Sequence, residues 1–174
     1  VPRVERRGRA PLCLAVAIRE YNDHLKKIVV VQRETKCRGK NGVELIWSLP
    51  GGSKWRAWGV KNNTRREFFE ETGQRITTGM RLGKRRHPEF PGRVTFYTLC
   101  ELRSHLPGDK IRFRPGPNIR QVRLVTPEEF VRLTTTDIYP PLASILGLTI
   151  ERIAEIRKAA AQSRATSSGK KARP

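Results

Sequence analysis

The sequence has few acidic residues, few cysteines and no long apolar run. Its 174 residues include 16 Asp and Glu against 36 Lys and Arg, which gives a formal net charge of +20. The longest apolar candidate, residues 12–18, is far shorter than the roughly 20 residues that span a bilayer. Hydrophobic residues still make up 37% of the chain, enough for one buried core at this length. These features predict a soluble single domain with no membrane segment and exclude wholesale disorder.

Only three cysteines occur, Cys13, Cys37 and Cys100. The number is odd and the spacing is wide, and two of the three stand in apolar alternation, where cysteine usually packs as a small hydrophobe. No Cys/His pair has the spacing of a zinc site. We therefore predict buried free thiols and a reducing compartment.

Positive charge is spread over most of the chain and is concentrated at both ends. Such a field favours an anionic polymer over a small acidic metabolite. We predict a basic N-terminal arm at 1–10, a folded domain at 11–161 and a basic flexible tail at 162–174. Because the chain starts with valine, we expect that an upstream segment was removed, which leaves open a cleaved organelle presequence or an arbitrary boundary. The expected location is mitochondrial, or otherwise cytoplasmic.

Apolar patterning predicts a mixture of strands and helices. A mixture of this kind indicates an α/β or α+β layered fold. The predicted strands cover 12–19, 28–33, 44–49, 93–102 and 119–125, and the predicted helices cover 64–72, 127–133 and 140 to about 160.

The most informative segment is 49–73, where a strand is followed by a glycine-rich loop and a short helix. Thr64 and Glu67 have the spacing of a capping box, and Gly73 is the expected terminator. These signals predict helical turns over 65–72.

Three carboxylates share one face of that helix. Glu67, Glu70 and Glu71 stand at i, i+3 and i+4 and would repel one another in isolation. A hard divalent cation such as Mg²⁺ or Mn²⁺, bridging to a phosphate, would explain the cluster. Arg66, one turn before Glu70, can orient that carboxylate.

The segment from Gly52 to Gln74 resembles the signature of the Nudix hydrolase family. The matching positions are Gly52, Arg66, Glu67, Phe68, Glu70, Glu71 and Gly73. The resemblance implies an α/β/α sandwich with a mixed sheet and hydrolysis of a nucleoside diphosphate linked to another group. It also implies metal binding by Glu67, Glu70 and Glu71 with the Gly51 carbonyl, a supporting role for Arg66, and a substrate-binding role for Arg33.

Two positions depart from the signature. Trp58 replaces its first glutamate, and Gln74 replaces its last apolar residue. The first change puts full metal occupancy and turnover in doubt. The catalytic base stays open between Glu67 and two residues outside the motif, Glu89 and Glu101.

The arginine surplus favours the 5′ end of RNA as the substrate, held by a basic track and by stacking on loop aromatics. The aromatics are Trp55 and Trp58, and the track residues are Arg81, Lys84, Arg85, Arg86 and Arg93. The alternative is a non-catalytic Nudix-fold subunit of a mitochondrial ribosome or another RNA–protein complex, with protein partners. An organellar enzyme similar to the mitochondrial edited-mRNA stability factor of kinetoplastids would combine both sets of features.

Overall fold

The computed structural model describes residues 10–20, 25–36, 43–54, 57–88 and 92–169. Within these ranges it contains strands, four α-helices and one short 3₁₀ turn at Gly108–Lys110. The strands are β1 (Leu12–Glu20), β2 (Lys26–Lys36), β3 (Val43–Ser48), β4 (Gly51–Ser53), β5 (Ile76–Arg86), β6 (Val94–Leu102) and β7 (Ile119–Val125). The helices are α1 (Val60–Thr72), α2 (Pro127–Leu133), α3 (Pro140–Ile145) and α4 (Ile150–Gly169).

The strands form one mixed sheet in the order β3-β2-β1-β6-β5, with β4 beside β1 and β7 beside β2. β1 and β6 are parallel, and the other pairs are antiparallel. β1 pairs with β4 at its start and with β2 only at its end. β1 and β2 therefore diverge, and the chain between β3 and β4 fills the opening between them. The Ala15 N–H of β1 donates to the Pro50 carbonyl in this opening at 2.8 Å.

Alternation along β1 supplies two cores on opposite faces of the sheet. Ala15 and Ala17 point to the α1 side, where small side chains leave room for the fully buried Phe68. Val16 and Ile18 point to the other side and pack with residues that include Phe130 and Leu142 from α2 and α3. The predicted α/β/α sandwich with a mixed sheet is confirmed.

The predicted start of α1 is wrong. The helix begins at Val60 with Gly59 as N-cap, and Thr64 is a buried interior residue whose hydroxyl donates to the Val60 carbonyl at 2.9 Å. The capping box therefore does not form. Asn63 holds the start instead, because its side-chain amide donates to the carbonyls of Trp58 at 3.1 Å and Gly59 at 3.0 Å. The predicted terminator is confirmed, since Gly73 has a φ of 69° and its N–H donates to the Phe69 carbonyl at 2.8 Å.

The single helix predicted over 140 to about 160 is also wrong. Gly147, with a φ of 68°, separates α3 from α4. α4 then continues to Gly169, so the boundary predicted at 162 falls inside a helix. Ser163 and Thr166 lie within this helix, where their hydroxyls donate to the carbonyls four residues earlier. Residues 1–9 and 170–174, in the predicted arm and tail, lie outside the described residues.

Two strands, β4 and β5, were not predicted. β5 carries two glycines and many basic residues, and its pairing with β6 shifts register near Thr78 and Gly83. These irregularities remove the period-two alternation that identifies a strand. No helix in the described ranges is long and apolar enough to cross a membrane.

Two of the cysteines, Cys13 and Cys100, are buried free thiols as predicted, whereas Cys37 lies outside the described residues. Burial raises the pKa of Cys100 to about 12 and also raises the pKa of Cys13. Because the thiolate is the reactive form, we expect neither thiol to react with a disulfide reagent at about pH 8 in the native protein. Both should react after denaturation. The measurement is thiol counting on Cys37→Ser, and rapid labelling of either native thiol would contradict this packing.

Candidate active site

The centre of the site is a bidentate ion pair between β2 and α1. Arg33 Nη1 and Nη2 lie 3.0 and 3.2 Å from the two carboxylate oxygens of Glu71. Arg33 Nε also donates to Ser48 Oγ at 2.8 Å, and Nη2 lies 3.3 Å from the Leu49 carbonyl and 3.4 Å from the Gly51 carbonyl. The guanidinium therefore fixes the chain that fills the opening between β1 and β2.

Glu71 is largely buried, with a side chain that is 12% exposed. Burial raises the pKa of its carboxyl, while Arg33 and the Gly51 N–H act in the opposite direction. That N–H donates to Glu71 Oε2 at 2.9 Å. A desolvated carboxylate is costly unless it is paired and hydrogen-bonded, so Arg33 and Gly51 keep Glu71 in place.

Arg66 holds the other two glutamates. It forms an ion pair with Glu67, and its Nη1 lies 3.0 and 2.9 Å from the two carboxylate oxygens of Glu70. On its other side the guanidinium faces the Trp58 ring at 5.9 Å. The structure thus places Arg66 between the acidic face of α1 and the residue that replaces the first glutamate of the signature.

Glu67 lies directly against the backbone of Gly52. A β-carbon at position 52 would overlap the Glu67 carboxylate, so a larger residue there would displace that side chain. Burial raises the pKa of Glu67, the Arg66 guanidinium lowers it, and Glu70 raises it further. A carboxyl with a raised pKa is better suited to accept a proton near neutral pH than an exposed glutamate.

The donor atoms of the site suit a hard cation, because carboxylates and a backbone carbonyl are the oxygen ligands that Mg²⁺ and Mn²⁺ prefer. The glutamates are nevertheless held by guanidinium groups, and no three His, Cys, Asp or Glu side chains in the described ranges converge on one point. An ion at this face would compete with Arg33 for Glu71 and with Arg66 for Glu67 and Glu70.

Of the remaining predicted aromatic and base candidates, the structure describes Trp58 and Glu101. The Trp58 side chain is 41% exposed, and Glu101 is exposed on β6. Trp55 and Glu89 fall outside the described residues. Ser48, which orients Arg33, was not predicted, because nothing in its sequence context separates it from an ordinary strand-end serine.

The predicted basic track is divided by the structure. Arg81, Lys84 and Arg86 lie exposed on β5, at the edge of the sheet. Arg85 instead donates to the Tyr97 hydroxyl at 3.0 Å and to the Asp137 carbonyl at 2.6 Å. Arg93 donates to the Ala10 carbonyl at 3.0 Å and to Ser53 Oγ at 2.6 Å. Arg85 and Arg93 therefore contribute to packing, and a nucleic-acid role for this set stays a prediction.

The Arg33 pair gives a stability prediction. Arg33→Ala leaves Glu71 buried without its guanidinium and is expected to lower the free energy of unfolding by about 1–3 kcal/mol. Adding Glu71→Gln should recover part of the loss. The control is Arg120→Ala, which breaks a more exposed ion pair with Glu34. It should lower the free energy of unfolding by at most about 1 kcal/mol. Urea unfolding measures all three, and an equal loss in Arg33→Ala and Arg120→Ala would contradict the buried pairing.

Comparisons with known proteins identify relatives of the whole domain. The model of the NUDIX domain matches residues 11–144. A NUDIX hydrolase from Nitrosomonas europaea aligns with a TM-score of 0.57 and 22% identity, covering 79% of this chain and 71% of that chain. An Ap4A hydrolase from C. elegans, solved as a binary complex, aligns with a TM-score of 0.58 and 14% identity. The alignment covers 79% of this chain and 93% of that chain.

A MutT/nudix family protein from Enterococcus faecalis gives a TM-score of 0.53 at 22% identity, covering 71% of this chain but only 45% of that chain. Comparison with curated proteins by sequence gives no significant match, and similarity to the edited-mRNA stability factor stays a prediction. The family predicted from Gly52 to Gln74 is confirmed by a domain match that extends over most of the chain. The chain belongs to the Nudix hydrolase family.

Proposed function

We propose that the protein is a metal-dependent pyrophosphohydrolase that cleaves a nucleoside-diphosphate-linked substrate, with the 5′ end of RNA as that substrate. The observation that carries the proposal is the contact between the glutamates of α1 and the Gly51–Gly52 backbone. Glu71 accepts a hydrogen bond from Gly51 there, and Glu67 lies against Gly52. This arrangement brings the acidic face of α1 to the opening in the sheet.

The residues that would hold a divalent cation are Glu67, Glu70 and Glu71, with the Gly51 carbonyl. The ion would neutralise phosphate oxygens and lower the pKa of an attacking water. Arg33 can exchange its bidentate contact with Glu71 for one with a phosphate, since a guanidinium binds both groups through the same paired donors. Glu67, whose pKa is raised by burial, is the candidate that accepts the proton.

RNA is favoured by charge. The net charge is +20, and the exposed cations of β5 offer a basic edge next to the folded core. A strand of nucleic acid binds through many phosphate contacts, whereas a free nucleotide needs few. The expected partner is therefore RNA, and a mitochondrial location belongs to the same proposal.

A second candidate is a non-catalytic Nudix-fold subunit of a ribosome or another RNA–protein complex. Two observations favour it, namely Trp58 in place of a glutamate and the pairing of the acidic face with Arg33 and Arg66. In that case RNA and protein partners would bind while no phosphate bond is cleaved.

The experiment that tests the proposal compares 5′-triphosphorylated RNA with a panel of free nucleotides and dinucleotides, each with Mg²⁺, with Mn²⁺ and with a chelator. We expect release of phosphate or pyrophosphate from the RNA only when the metal is present. Faster cleavage of a free nucleotide would contradict the RNA assignment. Binding of RNA without any cleavage would favour the non-catalytic subunit.

Trp58→Glu gives a prediction about the departure from the signature. The new carboxylate can pair with Arg66, which would loosen its hold on Glu67 and Glu70. One exposed ion pair is worth up to about 1 kcal/mol, so metal affinity or turnover should rise roughly fivefold. Trp58→Ala is the control, because it removes the ring without supplying a carboxylate. No difference between the two variants in metal titration and turnover would show that position 58 does not affect the site.

A further inference from the structure

We propose that single-stranded nucleic acid binds in a groove along α1, beside the acidic face. The groove consists of two neighbouring cavities of about 490 and 330 Å³. The lining of the first includes Trp58, Arg65, Arg66, Phe69, Arg75 and Arg103. The lining of the second includes Gln74, Ser104, Lys110, Arg112 and Arg114. We call these two cavities together the α1 groove.

The same two chain segments contribute to the linings of both cavities. Arg75 and Arg103 line the first cavity, and the adjacent residues Gln74 and Ser104 line the second. The Arg103 N–H donates to the Arg75 carbonyl at 3.0 Å. Gln74 Nε2 in turn donates to the Arg112 carbonyl at 2.8 Å. Consecutive residues and these two hydrogen bonds therefore join the linings of the two cavities.

The α1 groove is strongly positive. Its linings contain seven Lys and Arg residues and no Asp or Glu. In the part of the chain that the structure describes, no carboxylate forms an ion pair with six of them: Arg65, Arg75, Arg103, Lys110, Arg112 and Arg114. Protein surfaces usually intersperse charges of both signs, so this groove complements a polyanion.

Two exposed aromatic rings identify the kind of polyanion. The Trp58 and Phe69 side chains are 41% and 48% exposed, and both line the first cavity. Guanidinium groups already face them, Arg66 at 5.9 Å from the Trp58 centroid and Arg75 at 5.8 Å from the Phe69 centroid. Aromatic faces beside a basic groove bind unstacked bases. An acidic polypeptide would use the cations and leave the rings without a partner.

Arg66 connects the groove with the acidic face, because it lines the first cavity and also pairs with Glu67 and Glu70. A strand in the α1 groove thus passes beside the site of the proposed hydrolysis. That the strand passes beside a hydrolytic site rests on the proposed function. Binding of the strand in the groove does not require any hydrolysis.

The test measures fluorescence anisotropy of a short, unstructured RNA labelled at its 3′ end over a series of salt concentrations. Arg75→Gln/Arg103→Gln removes two exposed cations of the groove, and Phe69→Ala removes one ring. Arg132→Gln/Lys158→Gln is the matched control, because it removes two exposed cations from α2 and α4. Circular dichroism and thermal unfolding verify that each variant is folded.

We expect the groove variant to raise the Kd at least tenfold and to reduce the salt slope by about 1.4, since each phosphate contact on a single strand contributes about 0.7. Phe69→Ala should raise the Kd roughly fivefold or more through lost stacking. The control should change the Kd less than about twofold. Hydrolysis of a free nucleotide by the groove variant, measured in parallel, should not change, so failure of binding and failure of the proposed function are distinguishable.

Two results would overturn the proposal. Equal weakening by the groove variant and the control would show that RNA binds through diffuse charge. Displacement of the RNA by polyglutamate at a matched charge concentration, together with no effect of Phe69→Ala, would assign the groove to an acidic protein partner.

Discussion

Replacing Glu70 with glutamine is expected to reduce hydrolysis by about 10²- to 10³-fold, because a divalent cation at the acidic face contributes several kcal/mol of stabilisation to the transition state. The fold should survive, since the Glu70 side chain is 50% exposed and its partner in the structure is Arg66. The measurement is kcat/KM in Mg²⁺ together with the thermal midpoint.

Glu155→Gln is the matched control for that variant. Glu155 is also an exposed helical glutamate paired with an arginine, in this case Arg152 within α4. Its replacement should leave both hydrolysis and the thermal midpoint unchanged. If Glu70→Gln retains full activity, Glu70 has no part in catalysis.

Phe68→Ala is expected to lower the free energy of unfolding by about 3–5 kcal/mol. Phe68 is fully buried and is the largest of the fully buried side chains on α1, where it packs with Ala15, Ala17 and Ile76. The alanines of β1 cannot expand to fill the cavity. Because α1 also carries the three glutamates, loss of this anchor should reduce activity as well.

Phe69→Ala is the control for the buried phenylalanine. Phe69 is 48% exposed, so removal of its ring should lower the free energy of unfolding by less than about 1 kcal/mol. Denaturant unfolding measures both variants. A loss in Phe68→Ala no larger than in Phe69→Ala would contradict the packing of α1 against β1.

The acidic face of α1 could be predicted from spacing alone, whereas the start of the helix could not. Glu67, Glu70 and Glu71 share a face through local helical geometry, and Gly73 ends the helix by its own conformation. Thr64 has the residue type of a cap, yet four residues before it also adopt helical structure, held by the Asn63 amide. A capping pattern is local, but the choice between two candidate starts depends on packing, which buries Val60 and Thr64.

The ion pair of Arg33 with Glu71 could not be predicted from spacing, because 38 positions separate the two residues. It depends on the divergence of β1 and β2 and on the chain that fills their opening. β5 was missed for a related reason, since its edge position leaves most of its side chains exposed and removes the alternation that burial imposes. The arginines of the α1 groove come from α1 and from the segments that connect α1 to β5 and β6 to β7, so only the tertiary fold brings them together.

The most direct test of the central claim, that the acidic face of α1 holds a divalent cation, is a calorimetric titration of the full chain with Mn²⁺. We expect saturable binding by the wild type, weaker binding by Glu70→Gln and unchanged binding by Glu155→Gln. Absence of any saturable binding by the wild type would contradict the account and would favour the non-catalytic subunit.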